Sequence, residues 1–472
     1  MGSKWKQTTL GDLALGFDGA VDGPFGSNLP ASAYTESGYP IIRGSNLSIG
    51  LDDFKDSDFV FVPEHIFQKL SRSECRAGDI IFTKKGTLGQ TGLISARHRF
   101  EKYLLSSNQM RLRVDPEKAL PEYVYYYVSS QKAINKLIQD SECTGVPKIN
   151  LAYLKSFPIS LPSLSEQKEI IYILGSLNRK IILNRQINQT LEQMSQTLFK
   201  SWFVDFDPVI DNALDAGNSI PEALQSRAEL RQKVRNSADF KPLLADIREL
   251  FPAEFEETEL GWVPKGWKIS TAGDELVVKG GSTPSTSNAD FWENGTIHWT
   301  SPKDLTGNDS KVLLDTSKKI TELGLKKISS GLLPTDTVLM SSRAPIGYLA
   351  LAKTPMAINQ GYIAIPSSKN LSSEYIIYWL ENIMDDIKGM AGGTTFAEIS
   401  KGAFKTISLV IPSKNTVDEF TRLAHQHFGK VVSNTEQINA LTALRDTLLP
   451  KLISGELSLE DLPDLIGQTE PA

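Results

Sequence analysis

Apolar residues along most of this chain either alternate with polar ones or gather in short runs between glycines, prolines and hydroxyl residues. GDIIF (78–82) and TGLIS (91–95) are examples, and such stretches read as strands joined by turns. Twice the period lengthens to about three and a half residues. After Pro162 apolar residues fall at Ile170, Leu174, Leu177, Ile181, Ile187, Leu191, Met194 and Leu198. After Pro412 they fall at Phe420, Leu423, Val431, Ile438, Leu441, Leu448 and Leu452. Each segment opens on an S/T-x-x-E capping box, Ser163 with Glu166 and Thr416 with Glu419. Apart from the isolated Gly175 and Gly429, neither holds a glycine or proline until its end, so each predicts a helix of about 35–40 residues, roughly 55 Å long. That length suits a coiled-coil spacer better than a globular core. Asn188 and Asn439, each closing a Gln-Ile-Asn tripeptide amid apolar neighbours, are expected to fix the register of the pair.

The strand-rich parts repeat as well. KWKQTTLGDL (4–13) returns as GWKISTAGDEL (266–276), and GDIIFTKKGTLGQTGLI (78–94) as TDTVLMSSRAPIGYLALA (335–352). Asn108-Gln109 matches Asn359-Gln360, and Glu122-Tyr123 matches Glu374-Tyr375. The predicted order is domain 1–162, long helix 163–205, linker 206–258, domain 259–412, long helix 413–455 and tail 456–472. The linker is polar and turn-rich, with a helix expected over 221–235, and reads as an ordered but exposed crossover without chemistry.

The hairpin FTKKGTLGQTGL (82–93) tests one enzymatic class. A Walker phosphate loop needs lysine directly after its second glycine, and Gly89 is followed by Gln90. A Gly-x-x-Gly nucleic-acid clamp would keep its first glycine. The second copy replaces Lys84-Lys85-Gly86-Thr87 with Ser342, Arg343, Ala344 and Pro345 while keeping both strands. A constant scaffold with a changing loop is what recognition produces.

Composition narrows the classes further. The 472 residues, 40% apolar and 22% charged, describe an ordinary globular chain of more than one domain. No apolar run approaches the roughly 20 residues of a membrane span, and MGSKWKQTTL lacks the apolar core of a signal peptide, so a cytoplasmic location is expected. Cys75 and Cys143 fit a reducing compartment and are expected as two buried thiols. A net charge of −6 argues against a surface wrapped throughout in nucleic acid. It leaves room for the local basic stretch 76–113, with Arg76, Lys84, Lys85, Arg97, Arg99, Lys102, Arg111 and Arg113.

Several phrases occur in a distinctive order: LPSLSEQKEI (161–170), FKSWFVDFDP (199–208), GWVPKGW (261–267), GGSTPSTSNADFW (280–292), IHWTSPKDL (297–305) and LRDTLLPKLISGEL (444–457). Their order and doubling resemble the DNA specificity (S) subunit of a type I restriction-modification enzyme, over nearly the whole chain. The resemblance implies an α+β fold of two tandem target-recognition domains, each followed by a long helix, the helices pairing as an antiparallel coiled coil. It also implies that each domain reads one half of a split target in double-stranded DNA. The helices would space the halves and carry two methyltransferase subunits, and motor-nuclease subunits would join them. S-adenosylmethionine, ATP and magnesium are then expected on the partners and none on this chain. Base contacts need hydroxyl, amide and basic side chains. The loops of domain one offer Ser27, Asn28, Arg43, Ser45, Asn46, Lys84, Lys85, Thr87 and Gln90. Those of domain two offer Ser282, Thr283, Ser301, Lys303, Asp304, Ser342, Arg343 and Tyr348. The recurring Asn-Gln pairs are expected to hold a turn rather than to read bases.

No catalytic or metal site is expected. An amino-methyltransferase needs Asn/Asp-Pro-Pro-aromatic, which does not occur. Glu166-Gln167-Lys168 has a nuclease-like spacing, but helix capping explains Glu166. His425 and His427, two apart on a helix, point to different faces. A nucleotide-dependent enzyme and a coiled-coil scaffold with two protein- or RNA-binding heads are the alternatives. Ligand binding to the chain alone would mark the first, and a lack of sequence-selective DNA affinity the second.

Overall fold

The computed structural model describes residues 5–52, 54–141, 146–308, 310–343, 345–392 and 397–457. The chain divides into two compact units. Unit 1 joins the residues through Ile182 to those from Asn439 onward, and unit 2 runs from Leu183 to Ile438.

Both units are built on the same sheet. In unit 1 its strand order is Ala20–Asp22, Gln109–Arg113, Asp79–Thr83, Gln90–Leu93, Ser48–Ile49. In unit 2 the order is Leu276–Lys279, Tyr362–Ser368, Val338–Ser341, Leu349–Ala352, Val312–Leu313. These are corresponding segments of the repeat in corresponding places. The central strand Asp79–Thr83 is buried throughout because both faces of the sheet are covered. Ile80 and Phe82 pack with Tyr123, Val124, Ile170 and Leu174, while Ile81 packs with Ile42 and Tyr103 on the other side. Met340 and Leu339 divide in the same way in unit 2. A second sheet covers that other face. In it Tyr39–Ile42 runs parallel to Tyr103–Leu105 and antiparallel to Val60–Val62. Ile297–Thr300 has the same two pairings in unit 2. A two-stranded ribbon closes each domain: Lys6–Thr9 on Pro158–Leu161, and Lys268–Thr271 on Ser408–Ile411. One edge differs. Ser48–Ile49 joins antiparallel, whereas Val312–Leu313 joins parallel.

The long helices are Leu164–Phe203 and Lys414–Ser454. At the first, Ser163 and Glu166 form the expected reciprocal cap, at 2.9 and 3.3 Å. At the second the cap is Ser413, whose Oγ accepts the Thr416 N–H at 3.2 Å. Thr416 lies inside the first turn with its hydroxyl on the Leu250 carbonyl, and Glu419 pairs with Arg422. The helices pair antiparallel within each unit. In unit 1 Arg445 donates to Asn178, and Leu448, Leu449 and Leu452 share a core with Ile170 and Leu174. In unit 2 the contacts run Asn184–Gln437, Asn188–Asn434 and Ser195–His427. Asn188 is buried as a register-fixing residue should be, but its partners are Asn434 and Thr435, while Asn439 is exposed.

The segment 206–258 is ordered and, as expected, largely exposed beyond residue 213, but its beginning is buried. Phe206, Val209, Ile210, Ala213 and Phe251 are buried, and Phe206, Val209 and Phe251 join Phe199, Trp202 and Phe203 in the core of unit 2. Helix Asp207–Ala216 packs on helix Gln225–Arg235, which lies where one was expected. Asp207, Asp211 and Asp215 face Arg227, Arg231 and Arg235 in turn. The i,i+4 spacing puts both sets of charges on facing surfaces, which is why a polar sequence here folds into a packed helix pair, although the second helix buries only Ala228. Cys75 is buried with a free thiol, which burial pushes up from its ordinary pKa; Cys143 lies outside the described residues. Among the described residues no helix is long and apolar enough to cross a membrane.

Candidate nucleic-acid interface

Four loops of unit 1 meet at one end of its main sheet: the hairpin 84–89, the segment 23–30, the turn 43–46 and the turn 106–108. The hairpin between Asp79–Thr83 and Gln90–Leu93 is held by the Lys84 N–H on the Asn108 carbonyl at 2.7 Å and by the Ile149 N–H on the Lys84 carbonyl at 2.9 Å. The loop after Ala20–Asp22 is held by the Gly23 N–H on the Gln109 carbonyl at 2.9 Å. Lys84 Nζ reaches Asp22 Oδ1 at 3.1 Å and ties these two loops together. The turn 43–46 joins them at Gly44, where a Cβ would stand 3.4 Å from Gln90 Oε1 and 3.8 Å from Gln109 Nε2.

Unit 2 builds the same cluster. Ser342 donates its N–H to the Gly361 carbonyl at 2.9 Å and accepts from Ile399 at 3.0 Å. The Ser282 N–H meets the Ile358 carbonyl at 3.1 Å, and the Asn359 N–H meets that of Thr300 at 3.0 Å. Asn359 Oδ1 also accepts the Gly361 N–H at 2.8 Å, so this asparagine holds its own turn. The side chains shown at matching places differ. The isolated bridge that pairs Lys85 with Lys148 in unit 1 pairs Arg343 with Glu398 in unit 2.

The candidate residues therefore fall into two groups. Ser27, Asn28, Ser45, Lys85, Thr87, Thr283 and Lys303 are exposed on these loops. The others are partly or wholly engaged by the fold. Asn46 is 1% exposed, accepting the Arg43 N–H and donating to the carbonyls of Lys55 and Ser57. Asp304 does the equivalent work, accepting from the Ser301 and Ser317 N–H groups at 2.8 and 2.9 Å, which holds its carboxyl below the usual range against the opposing effect of burial. Arg43 Nη2 donates to the Asp58 carbonyl, and Gln90 bonds Thr83 and the Leu47 carbonyl. Ser282 donates to the Lys327 carbonyl, and Thr283 Oγ1, though exposed, donates to Gln360 Oε1 at 2.7 Å. Ser301 and Tyr348 are half-buried, the latter against Leu339 and its neighbours; Ser342 is buried and Arg343 half-buried. Ala344 lies outside the described residues.

The basic stretch 76–113 does not form one face. Arg111 is buried and donates to the carbonyls of Glu74 and Asp18, and burial lowers its pKa. Arg113 grips the buried Asp79 at 2.7 and 2.8 Å. Arg99 pairs with Asp56 and Lys102 with Glu74. A strand that alternates sides cannot hold all its charges on one surface. Phe25 is a side chain that a search for polar readers passes over. It stands 81% exposed in the loop with Ser27 and Asn28, and its sequence signal is an aromatic set between Gly23 and Gly26.

The residues weighed for catalysis hold structural contacts. Glu166 caps its helix, His425 Nδ1 meets Glu374 Oε1 at 2.9 Å, and His427 Nδ1 meets Ser195 Oγ at 2.7 Å. Among the described residues no group of three or more His, Cys, Asp or Glu is placed to hold a metal ion.

A family model described as "Type I restriction modification DNA specificity domain" matches the chain twice, over residues 24–193 and 264–443. The specificity subunit of the type I restriction enzyme HindI from Haemophilus influenzae is 27% identical over 476 residues, covering 96% of this chain and 100% of its own length. That of MjaIX from Methanocaldococcus jannaschii is 32% identical over 201 residues, 42% of this chain and 46% of its own. Among solved structures, the S subunit of a type I restriction-modification system from M. genitalium shares the fold. It has a TM-score of 0.53 at 16% identity and covers 95% of this chain and 96% of its own.

Proposed function

The chain belongs to the family of type I restriction-modification DNA specificity proteins, and from that premise we propose that each of its two recognition domains reads one half of a bipartite DNA target. The paired helices set the distance between the halves and offer the surface on which two methyltransferase subunits assemble, with motor-nuclease subunits joining them. The chain itself catalyses neither methylation nor cleavage, and S-adenosylmethionine, ATP and magnesium belong to the partners.

One observation carries this reading. The same four-loop cluster is built twice, on sheets of identical strand order, and the side chains exposed on it differ between copies. Elements that only support a fold would be expected to repeat their chemistry along with their geometry, whereas readers of two unlike half-sites keep the geometry and vary the chemistry. The test is to co-express the chain with its methyltransferase subunits and map methylated adenines in the recovered DNA. Two short defined blocks separated by a fixed non-specific gap are expected. One contiguous block, or methylation without sequence preference, would overturn the reading.

A further inference from the structure

Phe25 projects from the loop cluster of unit 1 as its most exposed apolar side chain. Its loop is pinned on both sides. On one side the Gly23 N–H bonds the Gln109 carbonyl, and a Cβ at Gly23 would lie 1.9 Å from the Ser106 carbonyl oxygen, so only glycine lets the chain pass this closely. On the other, Asn28 N–H closes a turn onto the Phe25 carbonyl at 2.8 Å, and Leu29 is buried with Ile41 and Phe67. The ring is thus held out by a fixed backbone.

Exposure alone would not single it out, because Phe17 is 89% exposed. Phe17, however, lies between Leu15 and Gly19, which both bond Arg113, at the opposite end of strand Gln109–Arg113 from the loop cluster. Unit 2 repeats the geometry around Phe25. A Cβ at Gly281 would lie 1.8 Å from the Ile358 carbonyl oxygen, and two residues later stands the exposed Thr283, as Phe25 stands two after Gly23. One scaffold position therefore presents a phenyl ring in one domain and a threonine in the other. In the DNA major groove the apolar feature is the thymine 5-methyl, met by Phe or by the Thr methyl, while an Asn amide matches the adenine N6/N7 edge. Phe25 beside the exposed Asn28 offers that combination.

We propose that Phe25 packs on the 5-methyl group of a thymine in the half-site read by unit 1, with Asn28 on a neighbouring adenine edge. This rests on the DNA-reading assignment above and names the chemistry of one of its two sites. The test uses the chain assembled with its methyltransferase subunits, binding a duplex of its own target in which each thymine of that half-site is replaced in turn by deoxyuridine. One replacement should weaken native binding by about five- to tenfold. Phe25→Ala should bind the unmodified duplex weaker by a similar factor and lose nothing more on that replacement. Its salt dependence should match the native slope, since no charge is removed. Its melting temperature should also be native, because the ring is exposed. Native affinity in Phe25→Ala, an unreduced loss on deoxyuridine replacement in the variant, a native protein indifferent to every replacement, or a half-site without an A·T pair would each overturn the proposal. If the native assembly prefers no sequence over random duplex, the DNA-reading assignment falls and this inference with it.

Discussion

Lys84 and Lys85 are neighbours in sequence and part company in the structure. Lys84 is half-buried with its ammonium on Asp22, whereas Lys85 is exposed. Neutralising one phosphate contact removes roughly 0.9 from the slope of log affinity against log salt. Lys85→Ala in the assembled complex should therefore flatten that slope by about one unit and leave the preferred sequence unchanged. An unchanged slope would place Lys85 away from the phosphates, and a changed sequence would make it a base reader. Residue roles of this kind were only partly legible in the sequence. Asn46 and Asp304 have the right chemistry for reading bases, yet they stand at matching capping turns and are used there. Arg111 and Arg113 were indistinguishable from surface charge until strand pairing set Arg113 opposite Asp79. Burial is decided by residues distant in sequence, which no local pattern reports.

The helices were the most legible elements, because a 3.6-residue period sustained over forty residues admits few other readings. The cap at Ser163 was legible from its box with Glu166. At the second helix the same box pattern pointed to Thr416, whereas Ser413, just after the closing strand Ser408–Ile411, is the residue that caps. The packing of the linker's first helix was not readable, because an Asp-rich and an Arg-rich segment each look solvated until they face each other. The helix pair also carries a pH response. His427, half-buried with Ser195 across the pair, has its pKa lowered by burial from 6.5. Its neutral form is the one the fold favours, so its contribution is fully present above pH 6.5 and is lost as pH falls below that value toward the folded pKa. Thermal unfolding of the native chain should lose more stability on crossing that window than unfolding of His427→Gln, which retains an amide for Ser195 and cannot titrate there. Parallel losses in the two proteins would show that protonation of His427 is not the cause.

At the scale of the molecule, the duplication was readable because it leaves paired traces such as Tyr123 with Tyr375, each hydroxyl bonded to a carbonyl of its closing strand. The Asn-Gln match was out of register, since the place Asn108 takes on Lys84 is taken on Ser342 by Gly361. The share each unit takes of both long helices was not readable, since the break after Ile182 follows from packing rather than from any change of period. Each recognition domain has its own main sheet, second sheet and closing ribbon, so each should carry its specificity when moved. The most direct measurement is therefore an exchange of residues 1–162 for the corresponding domain of a relative, followed by mapping of methylated adenines with the partner subunits present. One half of the target should change to the relative's sequence, while the other half and the gap stay as they were. A single exchange that altered both halves, or that left the target unchanged, would contradict the account.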